Sequence, residues 1–92
     1  MLNEQDKAII ISWAKKYQVQ EIYLFGSSLK NEQEAQDIDL AVRGIAPAVF
    51  FDFYGKLLRA FSKPVDLVNL TNSSRFTQRI EQEAIKIYGE TS

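Results

Sequence analysis

The stretch Asp37-Ile38-Asp39-Leu40-Ala41-Val42 carries two patterns at once. Its apolar residues make a short β-strand, and its two carboxylates stand at alternate positions. Side chains on a strand alternate sides, so Asp37 and Asp39 project together, about 6.6 Å apart at Cα. Ile38, Leu40 and Val42 point the other way and belong under helices, which leaves the aspartates on the open face. An unpaired charge is costly to bury, so a carboxylate pair in such a run needs either water or a ligand.

Two further apolar runs flank this strand. Upstream, about Gln20 to Phe25 reads as a strand that ends in Gly26-Ser27 and leads into a polar, helix-compatible stretch over Leu29 to Ala35. Downstream, Lys63-Pro64 enforces an extended start for a strand running to about Leu70. In that strand Val65 and Leu67 join the buried set, leaving Asp66, Val68 and Leu70 on the face of Asp39. If the second and third strands are neighbours, three carboxylates converge within reach of one or two cations. Three like charges so close repel by several kcal/mol at intermediate dielectric unless a cation sits among them. An isolated Asp-x-Asp is more often just two solvent-facing residues of a half-exposed strand. Gly-Ser upstream and Asp66 downstream tip the balance towards a site.

Gly26 has no Cβ, so its backbone can approach phosphate oxygens. Ser27 or Ser28 caps the helix-compatible stretch, and the same geometry makes a phosphate cradle. A lone Gly-Ser is most often an ordinary turn glycine followed by a plain cap. Lys30 is placed to neutralise phosphate, although an exposed lysine is usually only solvated surface.

The remaining elements are helical. Asn3 caps a first helix with Ile10, Trp13, Ala14 and Tyr17 on its core side. Pro47 suits the first position of another, running to about Phe61. Ser73 or Ser74 caps a last helix in which Phe76, Ile80, Ala84 and Ile87 form one stripe, with Gly89 as its stop. Helices alternating with strands indicate an α/β sandwich with helices on at least one face of a small sheet. Residues 1–92 read as a single domain, with a core but no room for a second substrate-binding lobe.

Composition narrows the chemistry. Apolar residues make up 46% and charged residues 25%, and the net charge is −1. This is a globular balance, and it recommends neither direct nucleic-acid binding nor an anionic membrane. With no Cys and no His there is no disulfide, no Cys/His zinc site and no Ser-His-Asp triad. Any metal must take oxygen ligands, which points to Mg²⁺ or Mn²⁺. No signal-peptide pattern and no membrane-length apolar run is present, so the expected location is cytoplasmic.

Gly26-Ser27-Ser28-Leu29-Lys30-Asn31 followed by Asp37-Ile38-Asp39-Leu40 resembles the signature of the nucleotidyltransferase superfamily that includes DNA polymerase β and kanamycin nucleotidyltransferase. Length and element order resemble its minimal (MNT) branch, over essentially the whole chain. The resemblance implies a helix-first α-β-α-β-α-β-α order, with a small three-stranded mixed sheet and helices packed mainly on one face. It implies that Gly26 and Ser27 bind the triphosphate of ATP, with Lys30 beside them as the candidate its charge suggests. It also implies that Asp37 and Asp39 hold two Mg²⁺ ions, and that Asp66 completes one site and helps activate the attacking hydroxyl. Many minimal members continue Gly-Ser with x-Ala-Arg-Gly. Lys30 here keeps the charge but loses the bidentate fork.

Such minimal proteins are typically antitoxins paired with HEPN-domain ribonuclease toxins, which they neutralise by transferring AMP to a tyrosine hydroxyl (AMPylation). The expected partner is therefore a HEPN-type toxin. The alternative is a non-catalytic module of the same fold that blocks a partner by contact alone. A small-molecule acceptor is disfavoured by length. Around Ala48-Val49-Phe50-Phe51-Asp52-Phe53-Tyr54, Phe50, Phe53, Leu57 and Phe61 make a core stripe, while Phe51 and Leu58 lie on an adjacent face. A band this wide is either a docking surface or a helix wrapped deeply by a small domain.

Overall fold

The structure, a computed structural model, describes residues 2–29 and 37–89. Lys30, Asn31 and nearly all of the stretch expected as a helix over Leu29 to Ala35 lie outside the described residues, as does the side chain of Ser27.

Helix α1 (Glu4–Lys16) starts where the Asn3 side chain accepts the Asp6 N–H at 2.8 Å. Glu4 and Asp6 in its first turn and Lys15 and Lys16 in its last complement the helix dipole. Strand β1 (Glu21–Leu24) runs into a single 3₁₀ turn, Gly26–Leu29. Strand β2 (Ile38–Arg43) precedes helix α2 (Pro47–Ala60), which has proline in its first turn as expected. Strand β3 (Val65–Asn69) follows, and then helix α3 (Arg75–Glu83). Ser74 is the cap of α3, in a reciprocal box with Thr77.

The chain ends its described part in a fourth strand, β4 (Ile85–Tyr88), where the helical stripe through Ala84 and Ile87 was expected to continue. Ile87 fits the helical stripe, but with Ile85 it also fits a period of two. The open edge of β1 decides between them. β4 pairs antiparallel with it, and Lys86 meets Glu21 across the two strands at 2.8 Å. The sheet order is β3-β2-β1-β4, with β2 and β3 parallel and the other pairs antiparallel.

One sheet face builds the main core. Ile22, Leu24, Ile38, Leu40, Val42, Val65 and Leu67 pack there against Ile10 and Ala14 of α1 and Phe53 and Leu57 of α2. The apolar alternation of β2 therefore falls under the helices, as its sequence requires. The second face is not fully open. α3 covers one end of it, where Ala41, Leu70 and Ile80 cluster with Tyr23, Phe25, Val68 and Ala84. Val68 and Leu70, expected on the open face, belong to this second core, and Leu70 is only 3% exposed. The cause is α3 itself, which an ion pair between Arg43 of β2 and Glu81 ties to this face.

The aromatic band of α2 divides. Phe53 and Leu57 are fully buried, Phe50, Tyr54 and Phe61 pack on the edge of the core, and Phe51 is 81% exposed. Leu58 is exposed as well. Phe53→Ala is expected to cost about 3–5 kcal/mol and Phe51→Ala to stay within about 0.5 kcal/mol. Thermal melting of the two variants checks this. Equal losses would return Phe51 to the core.

Candidate functional site

The site forms where β1 leaves the sheet beside β2. The Phe25 N–H donates to the Asp39 carbonyl at 3.1 Å, the last backbone bond linking the two strands before the turn. The chain then folds over into the 3₁₀ turn, where the Ser28 N–H donates to the Phe25 carbonyl at 3.1 Å. The Ser28 hydroxyl accepts the Asp39 N–H at 2.6 Å. Gly26 occupies the apex with φ of +55°, a left-handed conformation that favours glycine. A Cβ placed there would stand 2.6 Å from Asp39 Oδ2. Turn backbone and carboxylate are therefore in contact, and a side chain at 26 would fill the cradle. Gly26 is exposed, as a phosphate-facing backbone must be.

The parallel register of β2 and β3 sets Asp39 directly opposite Asp66. Neighbouring strands lie about 4.8 Å apart, so the two carboxyls meet on the same face. The Asp66 carboxyl is held above the ordinary carboxylate range. Partial loss of water contributes most, followed by the Asp39 charge, a hydrogen bond between the two side chains, and the Asp37 charge. Asp37 lies at the bend just before β2, two residues from Asp39 and half-buried.

The structure thus brings Asp39 and Asp66 into direct contact, with Asp37 near enough to be felt as charge. As placed, no three metal-ligating side chains among the described residues converge on one point. The donor set nevertheless fits a hard divalent cation in kind, since it is all carboxylate, and the mutual repulsion seen at Asp66 is what a cation between these groups would relieve. Asp37 reaches Asp66 as charge, the weakest of the causes acting there. The expected phosphate-side residues divide. Gly26 stands at the turn, the Ser27 backbone lies within it, and Lys30 is outside the described residues. Sequence reasoning missed the specific bond of Ser28. Its only signal was a second serine in a run where one cap suffices.

A family model described as "Polymerase beta, Nucleotidyltransferase" matches residues 8–92. The chain belongs to that family. Several solved structures share its fold closely. A chain from a mutant of the toxin–antitoxin complex MntA–HpeT is 30% identical, with a TM-score of 0.74 over 98% of this chain and 75% of that one. A second comes from the complex of a tri-AMPylated Shewanella oneidensis HEPN toxin with MNT antitoxin. It is 26% identical, with a TM-score of 0.75 over 97% of this chain and 74% of that one. A third comes from a toxin–antitoxin structure with AMP-PNP, at 28% identity and a TM-score of 0.71 over 97% and 75% of the two chains. No curated protein sequence matches significantly. Within the nucleotidyltransferase family, whose members generally use a divalent metal, the four-stranded sheet differs from the three-stranded expectation only by β4. No helix among the described residues is long and apolar enough to cross a membrane.

Proposed function

We propose that this chain is the antitoxin of a toxin–antitoxin pair and acts as an adenylyltransferase. In this reading it transfers AMP from ATP to a tyrosine hydroxyl of a HEPN-type toxin, with release of pyrophosphate. The observation that carries the reading is the parallel pairing of Asp39 with Asp66 beside the Gly26 turn. Support comes from structural neighbours that are toxin–antitoxin complexes, one with an AMPylated toxin and one with AMP-PNP.

Each residue has a defined task. The backbone at Gly26 and Ser27 receives phosphate oxygens at an exposed glycine turn, and Lys30 adds a positive charge. Asp37, Asp39 and Asp66 would hold two Mg²⁺ ions, or Mn²⁺, which supply charge stabilisation to the triphosphate. Asp66 orients the incoming hydroxyl or takes its proton. The hydroxyl oxygen bonds to the α-phosphorus as the bond to the bridging oxygen breaks, and pyrophosphate leaves. Phe51 and Leu58 give a protein partner an apolar surface to cover. Phe51→Asp is expected to weaken capture of such a toxin at least thirtyfold, the loss of an anchor of about 2 kcal/mol, with ATP binding unchanged.

Calorimetric titration with ATP, with and without Mg²⁺, tests the reading. Affinity is expected to depend on the cation, because triphosphate and carboxylates otherwise repel. Incubation with ATP, Mg²⁺ and a HEPN partner should add the mass of AMP to the partner. No nucleotide binding in either condition would favour the contact-only module.

A further inference from the structure

We propose that Ser28 is a positioning residue of the transfer reaction, its buried hydroxyl fixing Asp39 against the Gly26 turn. The inference rests on the transfer reading above and adds a residue to it.

The ladder between β1 and β2 ends at Phe25 and Asp39. In an antiparallel pair, hydrogen-bonded residues exchange both N–H···O=C bonds. Between Phe25 and Asp39 one such bond runs from the Phe25 N–H to the Asp39 carbonyl. The reciprocal acceptor, the Phe25 carbonyl, turns away to take the Ser28 N–H and close the 3₁₀ turn. The Ser28 hydroxyl stands in for it and accepts the Asp39 N–H at 2.6 Å. One residue therefore makes both bonds, its amide closing the turn and its hydroxyl holding β2.

Burial sets the consequence. Ser28 is 1% exposed, so bulk water has no ready route to replace the hydroxyl. The bond is made to the backbone of Asp39, the residue whose carboxylate touches the turn and faces Asp66. A shift of Asp39 along β2 would move its carboxylate relative to both. Because the hydroxyl is buried and accepts the Asp39 N–H, it acts through Asp39 and leaves phosphate contact to the exposed turn.

The test compares Ser28→Ala, Ser28→Cys and Ser28→Thr in the full chain. Ala removes the acceptor, Cys keeps the size with a poor acceptor, and Thr keeps the hydroxyl. Two readouts are taken: AMP transfer to the partner, and hydrogen exchange of the Asp39 amide. Ser28→Ala is expected to lower kcat roughly tenfold to a hundredfold, the cost of misplacing a reacting group by a fraction of an ångström to an ångström. KM for ATP should change less than about threefold, Thr should restore most of the rate, and the Asp39 amide should lose protection in Ala and Cys. If Ala fails to fold, Cys carries the comparison. An unchanged kcat, or a loss that a folded Thr variant shares in full, overturns the proposal. So does an Asp39 amide that stays equally protected in Ala and Cys. The exchange readout needs no activity. A protein that transfers no AMP yet shows the amide effect counts against the proposed function and leaves the bond established.

Discussion

Asp39→Ala and Asp37→Asn are each expected to abolish nucleotidyl transfer while the domain stays folded. Asp39 stands at the centre of the site, opposite Asp66 and against the Gly26 turn, so its removal deletes the carboxylate that links phosphate cradle to cation site. Loss of a single group that stabilises developing charge commonly costs a hundred- to a thousandfold in rate, about 2.7–4 kcal/mol. A residue that also helps hold the ions should cost at least as much. Pyrophosphate release and the mass of the partner report the loss. Transfer unchanged in both variants at saturating Mg²⁺ would remove these residues from the chemistry.

Stability should move the other way when no divalent cation is present. The Asp66 carboxyl is raised above its ordinary value, first by partial loss of water and then by the Asp39 charge, with a smaller effect of Asp37. A carboxyl whose folded value exceeds its unfolded value binds more protons in the folded state. Folding stability therefore falls as pH climbs from the ordinary carboxylate range through the raised value, and the penalty persists above it. Asp39→Asn removes the charge that adds to the effect of desolvation, so in chelated buffer at neutral pH it should melt slightly above the wild type. At pH values below the ordinary carboxylate range the difference should vanish. A variant that melts lower at neutral pH would mean that Asp39 stabilises the apo domain by its other contacts.

The central sheet was legible because three aspartates break an otherwise apolar alternation. Ile38, Leu40 and Val42 declare a buried face, and the aspartates then share the opposite one without further information. Lys63-Pro64 marked the start of β3, and the Pro64 carbonyl indeed accepts the Ile38 N–H at 2.9 Å to open the parallel ladder. β4 was not legible, because Ile87 fits the helical stripe as well as an alternation with Ile85, and only the edge of β1, a tertiary fact, selects the strand. The burial of Val68 and Leu70 was hidden for the same reason. It depends on where α3 lands after its Ser74 cap, and a sequence specifies the cap far more sharply than the docking. At the site, glycine at 26 announced a special backbone, but which serine bonds to what is a matter of turn geometry that a Gly-Ser-Ser run leaves open.

Gly26→Val should damage the protein more than Ser27→Ala. The backbone at 26 has φ of +55°, which costs an L-residue roughly 1–2 kcal/mol and a β-branched one more. Its Cβ would also meet Asp39 Oδ2 at 2.6 Å and Cγ at 3.3 Å, so either the turn opens or the carboxylate swings out of the site. ATP affinity is expected to fall at least tenfold, or about 1.4 kcal/mol, together with the melting temperature. Loss of the Ser27 hydroxyl should cost about 0.5–1.5 kcal/mol. Strain and collision can be separated with a smaller side chain. Gly26→Ala carries the same Cβ, so most of its stability loss should already be present. In an Asp39→Ala background the collision is gone, and only the left-handed strain should remain. A double-mutant cycle read by thermal melting measures the difference as a coupling between 26 and 39. Zero coupling, or full ATP binding by Gly26→Val, would mean that the junction is an ordinary turn and that the phosphates lie elsewhere.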